Sequence, residues 1–354
     1  MSLQQIERLL AETRTRLGYA RGVPPLITAV YRHHDGSLHV VTTDRAEKSL
    51  MMGPGGRVAA ELSRAIGTSI SVYSQEELLT RRHRLQMTRE RCEELADSVS
   101  PPQRTILEWL VRVAEAEMKY PEMETTIAQC PDERVGVSVA LSGGTDSTAV
   151  LAFMVEAGMR PLAITVDMGD CYLSPSLKHH LKENCDKIGV VNVMVDPGED
   201  VSEIGPLANA GRQHPCRRCH QIVLDTVLDH VRRCGIPCVV TGETLPTGRQ
   251  SVILVDEVLM VHLPAALAWS KYRTRSITRD RGLRVPGAVF GCAALRRAHS
   301  VGWRMVGPSI LRVLRELDAG VLSGGEALRL IRSIIVPVAR AEHIGTNRTS
   351  ESNE

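Results

Sequence analysis

Val135-Gly136-Val137-Ser138-Val139-Ala140-Leu141 runs without interruption into Ser142-Gly143-Gly144-Thr145-Asp146-Ser147, and then into a segment bearing Ala149, Val150, Leu151 and Met154. The first stretch reads as a buried strand and the last as a buried helix, so the hexapeptide between them is a strand-to-helix turn. Two glycines let backbone approach an anion closely. The helix start behind them offers free N–H groups and the positive end of a dipole. Ser142, Thr145 and Ser147 add hydroxyl donors. A turn of this composition suits a pyrophosphate, and it is not a Walker A loop, because no Gly-Lys-Ser/Thr ending follows.

Outward from this turn the pattern alternates. Pro161–Asp167 reads as a strand, Pro175–Ile188 as a helix, Val190–Val195 as a strand, Cys219–Cys234 as a helix and Ile236–Thr241 as a strand. Such alternation predicts an α/β fold, a doubly wound parallel sheet that binds ligands at the carboxyl ends of its strands. Two strand ends there are candidate nucleotide contacts: Asp167-Met168-Gly169 and Thr241-Gly242-Glu243-Thr244. Pro308–Ile335 reads as helical, with Gly320 and Gly324-Gly325 as punctuation.

The hexapeptide resembles the signature of the PP-loop ATP pyrophosphatase superfamily. The resemblance implies cleavage of ATP between the α and β phosphates, transfer of AMP to a substrate, and Mg²⁺ as a partner of Asp146, which would otherwise orient the loop. It also implies that Asp167 and Met168 line an adenine pocket and that Gly242 and Glu243 stand near the phosphates.

A second constellation is His214-Pro215-Cys216-Arg217-Arg218-Cys219-His220. Cys-x-x-Cys where a loop enters a helix brings two sulfurs near one point, and the helix start and both arginines are expected to lower the thiol pKa values. Cys292, in Val289-Phe290-Gly291-Cys292, is a third candidate ligand. Three cysteines with one coordination position open would suit a [4Fe–4S] cluster, and three readings compete with it: structural Zn²⁺ completed by His214 or His220, a redox dithiol carrying a persulfide, and buried thiols without a role. A PP-loop followed by Cys-x-x-Cys and a lone downstream Cys resembles the iron–sulfur tRNA thiolases, which include tRNA 2-thiolation enzymes and archaeal 4-thiouridine synthases. That resemblance implies a [4Fe–4S] cluster on Cys216, Cys219 and Cys292 with one iron open. It further implies tRNA as substrate, a sulfur donor and a homodimer. The sequence departs from those enzymes in lacking paired zinc ribbons and an Asp pair at Thr241-Gly242-Glu243. The cysteines at 92, 130, 171, 185, 234 and 238 read as packing residues, with Cys171 the least settled because it follows Asp167-Met168-Gly169.

Upstream, Leu38, Val40 and Thr42 alternate as a strand, 46–52 reads as a helix, Arg57–Ile66 as another and Ser69–Tyr73 as a strand. Between the helices stands Gly53-Pro54-Gly55-Gly56. The order resembles a KH domain, whose Gly-x-x-Gly turn brings backbone against nucleic-acid phosphates. Gly53, Pro54, Gly55 and Gly56 are thus candidate RNA contacts, with Lys48 and Arg57 flanking them as phosphate partners. A plain connector between two packed helices is the competing reading. The domain plan is residues 1–75 as the KH-like domain and 76–130 as a helical connector broken at Pro101-Pro102. Residues 131–337 form the PP-loop domain, and 338–354 a polar, disordered tail.

Composition bounds the rest. The chain has 354 residues, 43% hydrophobic and 24% charged, the profile of a soluble globular protein. Aromatics are 3%, so a nucleic-acid surface cannot rest on many stacking rings. A net charge of +2 neither demands nor excludes RNA, although Arg far outnumbers Lys. The apolar stretch Val252–Trp269 is interrupted by Asp256, Glu257 and His262 and is too polar to span a membrane. The first residues read as an amphipathic helix start rather than a signal peptide, and nine cysteines in a chain this long point to metal or redox chemistry rather than secreted disulfides. A cytoplasmic location is expected. The leading functional reading is an ATP-dependent tRNA sulfurtransferase. The alternatives are a PP-loop ligase or amidotransferase for a small molecule, with zinc at the Cys pair, and a non-catalytic protein that binds ATP and RNA.

Overall fold

The computed structural model describes residues 2–19, 23–124, 127–133, 135–198, 201–287 and 290–336. The tail expected at 338–354 lies outside them. The chain divides into two compact units, residues 1–86 with 114–126 and residues 87–113 with 127–354. Helices Gln75–Leu95 and Pro101–Met118 each contribute to both.

The first unit holds strands β1 (Ile27–Arg32), β2 (Leu38–Thr42) and β3 (Ile70–Ser74) in the order β1-β2-β3. β1 pairs antiparallel with β2, and β2 pairs parallel with β3. β2 is buried at all five positions. Helices Leu3–Arg16, Arg45–Met52 and Arg57–Ile66 supply Ile6, Leu10, Met51, Val58 and Leu62 to one core with Leu38 and Val40. The run from β2 to β3 is therefore strand, helix, turn, helix, strand. The reading from sequence had no strand at Ile27–Arg32, whose partly exposed, irregular burial carries no clean alternation.

A ring cluster sits at the far end of β2. His39 stacks on His33 at a centroid distance of 3.8 Å and lies against Tyr73 and Tyr120. Its Nδ1 meets the Tyr120 hydroxyl at 3.2 Å and its Nε2 the Ser37 hydroxyl at 3.1 Å. Burial, aided by the neighbouring His33, pulls the His39 pKa down to about 4.

The second unit is an α/β fold with a six-stranded sheet. Its strands are β4 (Val137–Ala140), β5 (Leu162–Val166), β6 (Asn192–Val195), β7 (Cys238–Thr241), β8 (Val252–Val255) and β9 (Val258–His262), in the order β6-β5-β4-β7-β9-β8. All pairs are parallel except β8 with β9. Strands β7 and β9 are buried throughout, as strands covered on both faces must be. Helix Thr145–Glu156 buries every residue from Ser147 to Met154. Phe153 meets Trp109 and Trp269 at centroid distances of 6.2 and 4.9 Å. The doubly wound sheet is the architecture expected from sequence.

The hairpin β8–β9 was not expected; Val252–Trp269 stood only as an apolar stretch. Its turn is Asp256-Glu257, both at positive φ (43° and 68°), between the paired residues Val255 and Val258. A two-residue turn of this kind is announced in sequence by Asn-Gly or Asp-Gly, and Asp-Glu carries no such signal. The helix expected from Pro308 starts earlier, at Trp303, and holds Pro308 inside it; it ends at Asp318, and a second helix covers 324–336. Among the described residues no helix is long and apolar enough to cross a membrane.

His39 makes one stability test specific. Its unfolded pKa lies near 6.5 and its folded pKa near 4, so the unfolded chain gains a proton first as pH falls. The stabilisation is complete above 6.5 and drains away between 6.5 and 4. The gap in urea stability between wild type and His39→Gln is expected to shrink by about 2 kcal/mol between pH 7 and pH 5. A gap that stays constant across that window would show that the burial is not felt.

Candidate active site

From β4 the chain moves to β5 and β6 on one side and then crosses to β7 on the other. The crevice between the carboxyl ends of β4 and β7 is thus the topological switch point, the usual ligand site of such sheets. Ser142-Gly143-Gly144 lies there. Gly143 has φ +74°, and Gly144 is the N-cap of helix Thr145–Glu156 with no side-chain cap. The first N–H groups of that helix have no capping side chain and are available to an anion.

The hydroxyls divide the work. The Ser142 N–H donates to Ser147 Oγ at 3.2 Å, and the Ser147 hydroxyl donates to the Gly144 carbonyl at 3.3 Å. Ser142 Oγ lies 3.1 Å from Ser147 Oγ. Buried Ser147 therefore shapes the loop from inside, whereas Ser142 is exposed and Thr145 half-buried at its mouth.

Asp146 is held from the opposite side. Lys271 forms an ion pair with its carboxylate, and the Thr274 hydroxyl donates to Oδ1 at 3.0 Å. Both partners stand on helix Lys271–Asp280, capped by Ser270. Sequence reasoning missed Lys271 and Thr274, because they follow Asp146 by more than a hundred residues and no local motif marks them. A Mg²⁺ ion would share the carboxylate with Lys271.

At the end of β7, Gly242 is a contact that tolerates no side chain. A Cβ there would come within 2.6 Å of the Ser147 amide nitrogen and 2.9 Å of its Cα. Next to it, Glu243 reaches the other constellation. Its carboxylate lies 3.8 Å from His220 Nδ1 and 3.9 Å from an Arg312 nitrogen, and Arg312 Nε also donates to Glu316 at 3.2 Å. Burial opposes the Arg312 charge, but Glu243, Glu316 and Cys216 outweigh it and raise its pKa. Arg312 also went unnoticed in sequence, one arginine among many. At the end of β5, Asp167 pairs with Lys178 at 2.7 Å and accepts the Gly169 N–H at 3.0 Å, and the ion pair holds its pKa low. Met168 beside it is buried.

Cys216 stands in the first turn of helix Pro215–Arg233 and Cys219 at the start of the second, and Cys292 is the N-cap of helix Ala293–His299. All three are half-buried and unpaired. Burial pushes the Cys216 thiol up to about 11 and Cys219 to about 12, and charge on Cys292 adds to both. This corrects the expected lowering: desolvation outweighs the helix start, and only Arg312 pulls Cys216 the other way. Thiolates here require a cation. Among the described residues no three His, Cys, Asp or Glu side chains converge closely enough for a single ion. The three thiols, in mutual electrostatic range, form a soft donor set. His214 does not offer itself as a zinc ligand: Nδ1 accepts the Cys216 N–H at 3.4 Å and Nε2 contacts Ser309 Oγ at 3.3 Å.

In the first unit, Gly53-Pro54-Gly55-Gly56 joins its two helices by a tight turn with positive φ at all three glycines. A Cβ on Gly53 would come within 2.3 Å of Val58. Pro54, Gly55 and Arg57 are exposed. Lys48 is engaged: Nζ reaches both Glu77 carboxylate oxygens at 2.7 Å.

No protein-family model matches the chain. It is similar to two uncharacterized proteins of Methanocaldococcus jannaschii. MJ1638 is 27% identical over 212 residues, covering 58% of this chain and 76% of that protein. MJ1599 is 25% identical over 206 residues, covering 56% and 73%. Similar solved structures include a U34-tRNA thiolase, NcsA from Methanococcus maripaludis with its [4Fe–4S] cluster, at TM-score 0.39 and 15% identity, covering 68% of this chain and 80% of that one. Others are the phosphoadenylyl-sulfate reductase of Candida auris in a phosphate complex (TM-score 0.33, 11% identity, 55% and 87% covered) and the NMN synthetase of Francisella tularensis (TM-score 0.31, 13% identity, 69% and 95% covered).

Gly242→Ala tests the close approach. The added methyl must displace the Ser147 backbone, so the stabilisation of the protein by ATP in thermal melts is expected to vanish while the fold persists. An unchanged ATP-induced shift in Tm would show that the loop does not depend on this contact.

Proposed function

We propose that this chain is an ATP-dependent tRNA sulfurtransferase of the PP-loop type. One observation carries the reading: Gly242 packs on the phosphate loop, and its neighbour Glu243 faces His220 and Arg312, the latter in electrostatic range of Cys216. An anion-binding loop and a thiol site thus meet through two consecutive residues at one strand end.

In this reading the phosphates of ATP rest on the bare N-terminus of helix Thr145–Glu156, with Ser142 and Thr145 at hand. The amide dipoles there stabilise the charge that pyrophosphate gains as it departs. A base carbonyl oxygen takes the adenylyl group, sulfur adds to the activated carbon, and AMP leaves with the original oxygen. Lys271 and Thr274 fix Asp146, so that the first helical turn and any Mg²⁺ it holds are in register. Asp167 and Met168, just past the end of the next strand, would flank the adenine. Cys216, Cys219 and Cys292 would hold a [4Fe–4S] cluster, which supplies a thiophilic iron for the incoming sulfur. The Gly53–Gly56 turn, with Arg57 exposed beside it, would take up RNA phosphates; Lys48 would have to leave Glu77 to join them.

Two measurements test this. Mass spectrometry of tRNA nucleosides from a deletion strain is expected to show one thiolated nucleoside missing; a strain retaining all of them overturns the proposal. With tRNA, ATP and a sulfide source, the purified protein is expected to form AMP and pyrophosphate in equal amounts. Lys271→Met should slow that by about 100-fold, the cost of removing one preorganised charge partner from a phosphate site. AMP formation with a small acceptor but not with tRNA would favour a small-molecule ligase.

A further inference from the structure

Exposed arginines on the second unit commonly have carboxylate partners: Arg160 pairs with Glu133, Arg249 with Glu94 and Arg284 with Glu183. Those around the thiols do not. Arg212, Arg217, Arg297 and Arg304 are exposed, and among the described residues none of them forms an ion pair. Local contacts bring them together. Arg297 lines a cavity of about 260 Å³ with Asn209 and Pro215, the residue before Cys216. Arg217 stands between Cys216 and Cys219 in the helix they open. A Cβ on Gly211, next to Arg212, would meet Val301 at 3.3 Å, and Trp303 and Arg304 follow Val301 directly after Gly302. Arg296 donates to the Gly291 carbonyl at 2.8 Å, beside Cys292. Segment 296–304 therefore borders both the chain before Cys216 and the loop carrying Cys292. Of the acids nearby, Asp170 is held by Lys178 at 3.1 Å, and Glu203 lines a smaller cavity with Arg218. Trp303 adds a ring: it is 52% exposed, whereas Trp109 and Trp269 are buried.

We propose that Arg212, Arg217, Arg297, Arg304 and Trp303 form a surface for single-stranded RNA at the rim of the thiol site. The inference rests on the tRNA reading above and assigns the second unit an RNA contact of its own, independent of the Gly53–Gly56 turn. Guanidinium groups without a countercharge match phosphates, which they bind as planar forks. An exposed indole among them offers a base a stacking partner. Only an unpaired, splayed-out strand presents phosphates and a free base face together. Such a strand also suits the chemistry, because a base carbonyl inside a duplex is out of an enzyme's reach.

The test titrates the full-length protein with unfractionated tRNA at several salt concentrations. Replacing both Arg297 and Arg304 by Gln is expected to raise Kd about tenfold and to make the plot of log K against log salt less steep by about 1.5, the share of two phosphate contacts. Replacing both by Lys should keep most of the salt slope. Trp303→Ala should raise Kd about tenfold and leave the slope unchanged, because stacking releases no counterions. Arg160→Gln, on the matched part of the surface, should bind as wild type does. Binding of tRNA should quench the tryptophan fluorescence of wild type but not that of Trp303→Phe, a readout that stands even if an Arg variant folds poorly. Wild-type Kd and slope in the double Gln variant, with no quenching at Trp303, overturn the surface while the tRNA reading stands. A wild-type protein that binds no tRNA removes that reading, and the surface with it. Polyglutamate that binds as tightly as tRNA, with Trp303 fluorescence unmoved by either, points to an acidic protein partner and overturns the proposal.

Discussion

The close approach of Gly242 to the Ser147 amide is the constraint on which the second unit's chemistry depends. Two parallel strands, β4 and β7, end side by side, and the helix that follows one must start within van der Waals contact of the residue that follows the other. Nothing larger than hydrogen fits between them. This keeps the helix N-terminus in the switch-point crevice with its capping position free of side chains. The same strand end sends Glu243 toward the thiols. Shift β7 by one residue along β4 and a side chain enters the phosphate loop while the carboxylate leaves Arg312 and His220.

Electrostatics around that contact follow a consistent logic. The site's carboxylates are matched by cations: Asp146 by Lys271 and Glu243 by Arg312, both remote in sequence, and Asp167 by nearby Lys178. The thiols break the pattern. Burial drives Cys216 and Cys219 toward their neutral forms, and Arg312 offsets this at Cys216 alone. Metal coordination would reverse this, since it deprotonates a thiol outright.

The parts legible in sequence were those encoded within a few residues. Val135–Leu141 followed by Ser142–Ser147 announces strand, turn and helix through local composition, and the alternation to Thr241 announces the sheet. Cys216 and Cys219 declare themselves by spacing. What stayed hidden arises from tertiary closure. Lys271 and Thr274 meet Asp146 only because their helix packs on Thr145–Glu156. The hairpin β8–β9 turns on Asp256-Glu257, where tertiary pairing overrides turn preference. The sign of the thiol shift was misread because helix dipole and arginines can be seen in sequence, whereas depth of burial cannot.

The six-stranded sheet has unlike edges. On one side β8 runs antiparallel, and the Arg91 Nε donates to the Val252 carbonyl at 3.0 Å, so a side chain occupies part of the hydrogen-bonding rim. On the other, β6 shows Met194 at 44% exposure beside Val191 at 68%. An edge of this kind is a template for adding a strand from another chain. Its four residues are followed closely by Pro197, and so short an edge leaves room for few backbone bonds to any added strand.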